Sequence, residues 1–354
     1  MGYSEELPLH EERNCVELSR NRRIPTVMKE SETTSQYSTA SLRGRPSSRR
    51  PFSGVLEPHF SFEFYPPKTP KGWANMEEAA RQLAGLEPDF ISVTFGAGGS
   101  AKERTLETSL ALRSLMNVDV VPHISCLGLT REQVEVHLEN YAKEGISKLL
   151  ALRGDVPEGT ESVNDVVIPE EGFRYANELV SYIKQRGGFQ VLVACYPEGH
   201  PEAPTIQTDV DNFMRKVDAG ADAAVTQYFY NNAAYFQFVN DVRRRGIDIP
   251  IVVGLMPVAP YDQVVHFSSK CDADIPLWIR KRMEGYQDDP ASQLDLAVEI
   301  AVRQTEELFK NGAPGIHFYT LNRADVTLRV CEHLRPKPLD LGYSLKDATY
   351  GEVI

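Results

Sequence analysis

Short apolar runs and amphipathic stretches alternate along the chain from about residue 58 onward. The runs are rich in β-branched residues and nearly continuous in apolar character, which is typical of strands buried on both faces. Eight such runs occur, at residues 59–64, 90–95, 118–124, 148–152, 190–194, 223–228, 249–255 and 315–320. The alternation predicts an α/β protein with a parallel sheet.

The stretches between these runs have the spacing of amphipathic helices. We predict helices over residues 131–143, 172–186, 209–219 and 233–244, and a long helix from 288 to about 310. Thr130 and Gln133 have the spacing of a capping box at a helix N-terminus. Glycines follow four of the helices, as a C-terminal stop favours, at positions 145, 187, 220 and 246.

Eight strands, each followed by a helix, in about 280 residues predict a (β/α)8 TIM barrel, with extra helices near the C-terminus. A doubly wound open sheet is the alternative, but no Gly-x-Gly-x-x-Gly turn follows any of the strands. We place the barrel at residues 58–340, with a C-terminal tail at 341–354.

Residues 1–57 differ from the rest of the chain because they are rich in Ser, Thr and Arg and show no sustained period. We expect this tail to be disordered, since it cannot bury enough apolar surface to offset its ordering entropy. Arginines beside serines at 43–53 are compatible with kinase sites, and equally with a solvated tail of no specific role.

Composition narrows the classes of partner. The 354 residues are 42% hydrophobic and carry a net charge of −12, which argues against nucleic acid or an anionic membrane as the main partner. Five cysteines without a Cys-x-x-Cys pair predict a reduced protein that lacks a disulfide framework. No apolar run has the length of a membrane span. The acidic first 30 residues lack a signal-peptide pattern, so we predict a cytoplasmic protein.

Glu63 is the most informative single residue, because it lies among aromatic residues just before a strand must end. Proline cannot donate to a sheet, so Pro66 and Pro67 place Glu63 at the C-terminal mouth of the first strand. Burial there predicts a raised pKa and a protonated carboxyl that can donate a proton. The alternative is an ordinary strand-end glutamate that pairs with Lys or Arg.

Polar residues also end most of the other predicted strands, and in a barrel these ends meet on one face. In chain order they are Glu63, Thr94, His123, Arg153-Gly154-Asp155, Tyr196, Gln227 and the segment 319–323. His123 alone would be a hydrogen-bonded core histidine, and Asp155 alone an ion-pair partner of Arg153. Their convergence instead predicts an active site. Neither metal-ligand spacing nor a nucleophilic triad stands out.

The residue types indicate a large, flat, anionic ligand. Gln227 and His123 suit the edge of a heterocycle, and the backbone of residues 96–99 can cradle a phosphate. The candidate cations for phosphate or carboxylate groups are Arg153, Arg215, Lys216 and Arg323.

Several motifs together resemble the methylenetetrahydrofolate reductase family. They are Ser-Phe-Glu-Phe-Tyr-Pro-Pro-Lys-Thr at 61–69, Thr-Phe-Gly-Ala-Gly-Gly at 94–99, Pro-His at 122–123, Leu-Arg-Gly-Asp at 152–155, Tyr-Pro-Glu-Gly-His-Pro at 196–201, Lys-Val-Asp-Ala-Gly-Ala at 216–221, Thr-Gln-Tyr-Phe at 226–229 and His-Phe-Tyr-Thr-Leu-Asn-Arg at 317–323. The resemblance extends from residue 59 to about 335. In this order and at these spacings the motifs are highly specific.

The resemblance implies an FAD-dependent reduction of 5,10-methylenetetrahydrofolate to 5-methyltetrahydrofolate by NADH or NADPH. It implies a ping-pong reaction through reduced flavin that feeds methionine synthesis, in a homo-oligomer. Glu63 matches the acid that opens the folate's five-membered ring, and Asp155 matches a carboxylate near the flavin and the pterin.

The remaining site residues come from the same resemblance. Contacts to folate or nicotinamide match Gln227, Gln263, Phe267 and Arg323. Contacts to FAD match Thr94, Ala97, His123, Arg153, Gly154, Asp155, Tyr175, Ala176, Tyr196, His200, Ala203, Asp209, Asn212, Arg215 and Lys216. Phe95 departs from the family, where many relatives have Tyr.

Two alternatives stay open. A non-catalytic paralogue that binds flavin or folate and regulates a partner would be expected to have lost Glu63 or Asp155. Another barrel flavoenzyme, of the proline dehydrogenase type, would not need Gln227 and Arg323. Because the chain ends soon after the barrel, we expect neither a C-terminal regulatory domain nor inhibition by S-adenosylmethionine.

Overall fold

The structure is a computed structural model that describes residues 59–95, 99–156, 160, 163–169 and 171–335. The predictions about the tails, at residues 1–57 and 341–354, lie outside these ranges. Ala97, an expected cofactor contact, lies outside them as well.

Eight parallel strands close into a barrel in the order in which they occur along the chain. They are β1 (Phe60–Phe64), β2 (Phe90–Val93), β3 (Val120–Ser125), β4 (Lys148–Leu152), β5 (Gln190–Cys195), β6 (Ala223–Thr226), β7 (Ile251–Leu255) and β8 (Ile316–Tyr319). β1 pairs with both β2 and β8, which closes the sheet. The predicted TIM barrel is therefore confirmed, and the open sheet is excluded.

Helices surround the barrel. They are α1 (Pro70–Ala84), α2 (Gly99–Met116), α3 (Arg131–Lys143), α4 (Ala176–Arg186), α5 (Ile206–Asp218), α6 (Asn232–Arg244), α7 (Tyr261–Cys271), α8 (Leu277–Gly285), α9 (Pro290–Lys310) and α10 (Asp325–Leu334), with a short 3-10 turn at Val163–Asp165. Three of them, α7 to α9, lie between β7 and β8. The expected extra helices near the C-terminus are therefore present.

Most predicted helix bounds agree with the structure to within a few residues, and the capping box of Thr130 and Gln133 is present. Two bounds differ. The predicted helix at 172–186 begins only at Ala176, because Glu178 accepts hydrogen bonds from the amides of Arg174 and Tyr175 and so ends the preceding loop. Helix α5 begins earlier than predicted, after an N-cap at Thr205.

Alternate strand residues point into the barrel, as the period of two requires. One interior cluster consists of Phe90, Val121, Leu150, Leu192, Ala223, Val225 and Val252. Gly254 is a second interior position on β7, where an added Cβ would lie 2.0 Å from the Thr226 carbonyl oxygen and 2.6 Å from the Tyr319 hydroxyl. This glycine lets the Tyr319 ring cross the barrel and donate a hydrogen bond to the Thr226 carbonyl, at 2.6 Å.

Candidate functional site

Glu63 is the penultimate residue of β1 and points into the barrel mouth, while its neighbours Phe62 and Phe64 are buried in the layer of strands and helices. The end of β1 is held by the loop that follows β8. Thr320 donates its hydroxyl to the Glu63 carbonyl at 2.6 Å, and Asn322 makes two hydrogen bonds with the Tyr65 backbone. The predicted position at the C-terminal end of a buried strand is therefore confirmed.

A buried cluster of polar side chains, here called the carboxylate–histidine cluster, surrounds the Glu63 carboxylate. Its members are Glu63, Ser61, Ser92, His123 and His317. Glu63 Oε2 lies 3.3 Å from His123 Nε2, 3.4 Å from the Ser92 hydroxyl and 3.8 Å from His317 Nε2. No Lys or Arg pairs with Glu63 among the described residues, so the alternative of an ordinary strand-end glutamate paired with Lys or Arg is not supported.

His317 connects the cluster through both of its ring nitrogens. Nδ1 lies 2.8 Å from the Ser61 hydroxyl and Nε2 lies 3.0 Å from the Ser92 hydroxyl. Burial lowers the pKa of His317 and keeps the ring neutral. One arrangement then satisfies Ser92 and both ring nitrogens of His317: Ser61 donates to Nδ1, Nε2 donates to Ser92, and Ser92 donates to Glu63.

The expectation that Glu63 is protonated in the free protein is wrong. Burial does raise the pKa of Glu63, but its interactions with His123 and His317 outweigh burial and lower that pKa from 4.5 to about 2. The carboxyl is therefore ionised at neutral pH. The aromatic neighbours of Glu63 are adjacent in sequence, whereas the two imidazoles that lower its pKa come from the strands β3 and β8.

His123 has one buried nitrogen without a hydrogen-bond partner. The residue is 5% exposed, and its Nε2 is close to Glu63 without being aligned for a hydrogen bond. Leaving such a group unpaired costs about 1–3 kcal/mol. An unpaired polar atom at the barrel mouth indicates a place where a ligand can supply the missing partner.

On the other side of the mouth, the Arg153 guanidinium forms a two-pronged ion pair with Glu202, with N–O distances of 2.5 and 2.6 Å. Asp155 is exposed. The pairing of Asp155 with Arg153, one of the two interpretations of the sequence, is therefore not found: the partner of Arg153 is Glu202, which was not among the predicted site residues.

The loop after β5 collects several of the expected cofactor contacts. The His200 ring lies edge-on to Tyr196, with centroids 4.6 Å apart. The Lys216 ammonium lies over the Tyr196 ring and donates to the Ala194 carbonyl at 2.9 Å. Burial lowers the pKa of Lys216, while the nearby Asp209 carboxylate acts in the opposite direction. The fold thus brings Tyr196, His200, Asp209 and Lys216 together.

The other expected cofactor contacts follow strands β2, β4 and β5 or lie on helices α4 and α5. Thr94 follows β2, Gly154 follows Arg153, and Tyr175 and Ala176 begin α4. Ala203 closes a turn with His200. Arg215 is exposed and donates to Asn212 at 2.8 Å on α5.

The expected substrate contacts lie on the β6, β7 and β8 side. Gln227 follows β6 and lines a small cleft with Tyr196, Glu198 and Cys271. Gln263 and Phe267 lie on α7, where the Phe267 ring is 39% exposed. Arg323 is exposed and pairs with Asp325.

Ser61, Ser92 and His317 belong to the site but were not predicted as members of it. Each lies two residues from a predicted mouth residue, and period-two alternation places such pairs on one side of a strand, so their positions carried a signal in the sequence. Among the described residues, no group of His, Cys, Asp and Glu is arranged to hold a metal ion. Over the same residues, no helix is long and apolar enough to span a membrane.

Comparison with known proteins gives concordant results. A family model described as methylenetetrahydrofolate reductase matches residues 54–335. The 5,10-methylenetetrahydrofolate reductase of Escherichia coli (strain K12) is 34% identical over 278 residues, which cover 78% of this chain and 91% of that protein. The 5,10-methylenetetrahydrofolate reductase of Pectobacterium carotovorum is also 34% identical, over 281 residues that cover 78% of this chain and 90% of that protein.

A longer plant relative and a solved structure also match. Methylenetetrahydrofolate reductase (NADH) 1 of Arabidopsis thaliana is 35% identical over 274 residues, which are 74% of this chain but 46% of the plant protein. A solved structure of an uncharacterized Clostridium thermocellum protein, described as binding two copies of 5-methyl-5,6,7,8-tetrahydrofolic acid, has a TM-score of 0.54. It covers 77% of this chain and 94% of its own, and at 14% identity it shows the fold alone. By its matched domain and its bacterial relatives, the chain belongs to the methylenetetrahydrofolate reductase family.

Proposed function

We propose that this protein reduces 5,10-methylenetetrahydrofolate to 5-methyltetrahydrofolate with NADH or NADPH, through FAD and in a ping-pong order. The observation that carries the proposal is the Glu63 carboxylate, placed between two imidazoles at the mouth of a barrel of this family. Glu63 and Asp155 are both retained, which argues against a non-catalytic paralogue.

The donors at the mouth fit the chemistry of FAD. A flavin ring presents carbonyl oxygens and ring nitrogens at its edge, and the pyrophosphate is anionic. The chain offers the unpartnered His123 Nε2, the Arg153 guanidinium and the half-buried Lys216 ammonium, and the exposed Arg215 adds a further cation. When bound, FAD supplies the carrier that accepts a hydride from the nicotinamide and passes it to the folate.

We propose that Glu63 donates the proton that is needed to open the methylene bridge of the folate. An amine leaves poorly unless it is protonated, so this step needs an acid. Because the free protein holds Glu63 ionised, the carboxylate must gain its proton during the reaction. A ligand that covers the mouth and excludes water raises the pKa of a carboxyl, and this favours uptake. The Glu63 side chain is 19% exposed at the mouth, so the carboxylate can take this proton from water before the ligand covers it.

Roles for the remaining residues follow from their positions. Asp155 is exposed beside Arg153, where it would keep a negative charge near the flavin. On the opposite side of the mouth, Gln227, Gln263, Phe267 and Arg323 would contact the folate and the nicotinamide in turn. The supply of methyl groups for methionine, the cytoplasmic location and the homo-oligomeric state remain predictions.

The test is to follow flavin absorbance in the purified protein. We expect a yellow protein that is bleached by NADH or NADPH under nitrogen and recovers its colour when 5,10-methylenetetrahydrofolate is added. A colourless protein that takes up no FAD on titration would contradict the proposal. A protein that bleaches but does not recover with the folate would indicate another barrel flavoenzyme.

A further inference from the structure

The loop that joins β5 to α5 contains a carboxylate that the proposed chemistry does not use. In this loop the Ala203 amide donates to the His200 carbonyl at 2.8 Å, which forms a turn. Glu202 lies inside that turn, between two residues that are expected to contact FAD. Its side chain extends away from its own loop to the loop after β4.

Glu202 and Arg153 form a bidentate ion pair. Both carboxylate oxygens accept from the guanidinium, Oε2 from Nη1 at 2.5 Å and Oε1 from Nη2 at 2.6 Å. The Arg153 side chain is only 18% exposed. Two parallel hydrogen bonds fix the plane of a guanidinium as well as its position, which a single contact does not.

The pairing with Glu202 uses some, but not all, of the N–H donors of Arg153. A guanidinium carries five N–H groups. Nε donates to the Gly154 carbonyl at 3.1 Å, and Glu202 takes one N–H from each terminal nitrogen. One N–H on each terminal nitrogen is therefore left for another acceptor, in a plane that Glu202 sets.

Glu202 acts on a second expected cofactor contact through its backbone. The Glu202 amide donates to His200 Nδ1 at 3.1 Å, so Nδ1 is an acceptor and the proton of the neutral ring lies on Nε2. Burial and the nearby Arg153 charge lower the pKa of His200, which keeps the ring neutral. Its Nε2 is then a hydrogen-bond donor.

We propose that Glu202 is a positioning residue of the cofactor site, which orients the Arg153 guanidinium and sets the His200 tautomer so that both present N–H groups to FAD. The inference rests on the proposed function. The rival interpretation is that Glu202 merely neutralises Arg153. The two interpretations predict opposite changes in FAD affinity when Glu202 is replaced. Loss of a neutralising charge would strengthen the binding of an anionic cofactor, whereas loss of orientation would weaken it.

The experiment measures the dissociation constant of FAD for the apo-protein by quenching of flavin fluorescence. We expect Glu202→Ala to raise it about tenfold or more, the range of a charge-assisted hydrogen bond. Glu202→Gln, which keeps one acceptor oxygen, should have a smaller effect, and both variants keep the backbone amide that bonds to His200 Nδ1. The double variant Glu202→Ala/Arg153→Ala should bind FAD no more weakly than Arg153→Ala, since the carboxylate acts through that guanidinium.

The matched control is Glu135→Gln. It removes a glutamate that accepts from Arg186 at 2.6 Å, on the outer helices α3 and α4, and it should leave FAD affinity unchanged. Thermal unfolding of each apo-variant reports whether the fold is intact, and Glu202→Gln serves as the test if Glu202→Ala does not fold.

Unchanged or tighter FAD binding by the Glu202 variants would overturn the inference, and so would additive losses in the double variant. These outcomes are distinct from a failure of the proposed function, in which the unmodified protein itself takes up no FAD.

Discussion

The two halves of the barrel interior differ in character. The half formed by β8, β1, β2 and β3 is polar toward the mouth, where it presents Ser61, Glu63, Ser92, His123 and His317. The half formed by β4 to β7 is apolar and presents Leu150, Leu192, Val225 and Val252. Branched apolar side chains are the usual filling of a TIM barrel, so the polar half is the departure.

The difference between the two halves shows which buried groups of the barrel interior carry an energetic cost. Each buried polar group that lacks a partner costs about 1–3 kcal/mol. Ser61, Ser92 and His317 avoid that cost by bonding to one another. His123 does not, because its Nε2 has no hydrogen-bond partner. The unpaired group thus lies at the mouth, beside the ionised Glu63, where a ligand can reach it.

The largest expected effect comes from a change at Glu63 in the polar half. Glu63→Gln keeps the size of the side chain but cannot deliver a proton. Under the proposed function, reoxidation of the reduced flavin by the folate should fall by about 10²–10⁴-fold, the usual contribution of a general acid. Reduction by NADH or NADPH should stay within about tenfold, since hydride transfer to flavin needs no acid at the substrate.

Stopped-flow absorbance of the flavin, with each substrate alone, measures both half-reactions. Equal losses in the two would show that Glu63 supports the cofactor site and does not act as the acid. Normal reoxidation by the folate would remove Glu63 from the mechanism.

The second prediction concerns Gly254, which lies in the apolar half where Tyr319 crosses from the other side. In Gly254→Ala the new Cβ would collide with the Thr226 backbone as well as with the Tyr319 ring. We expect a loss of unfolding free energy of about 1–3 kcal/mol or more, as for an overpacked core. Urea unfolding at neutral pH measures it.

A glycine in open space provides the control. Gly285, at the end of α8, has no neighbouring atom within 4 Å of an added Cβ. Gly285→Ala should be neutral or stabilise by up to about 1 kcal/mol. A Gly254→Ala variant as stable as this control would show that the two halves of the interior can move apart without cost.

The smallest expected effect is a pH dependence of stability that belongs to the polar half. The folded state lowers the pKa of Glu63 from 4.5 to about 2. A lowered pKa contributes stability that is fully present above pH 4.5 and is lost as the pH falls toward 2. The stability advantage of the parent over Glu63→Gln should therefore shrink between about pH 5 and pH 3.

Urea unfolding of the two proteins across that range, compared at each pH, isolates Glu63 from the other carboxylates. An advantage that stays constant with pH would mean that the imidazoles do not stabilise the charged form. If the advantage instead grew on acidification, the pKa of Glu63 would be raised in the folded protein, as burial alone predicts.

Part of the site could be predicted from the sequence. The position of Glu63 followed from local rules, because the prolines after it stop a strand. Its charge state did not follow, because the groups that set it come from three other strands of the barrel. The partner of Arg153 was missed for the same reason, since Glu202 lies 49 residues further along the chain.

The sequence by itself determined the eight strands, their parallel order and the face on which the polar residues gather. These depend on hydrophobic period, on glycine and proline, and on the rule that parallel strands end on one side. Only the tertiary structure decided that Glu63 is ionised, that Arg153 is held by Glu202, and that His123 keeps a free nitrogen. Such properties depend on distances of a few ångströms between side chains of different strands and loops, and no local pattern in the chain encodes those distances.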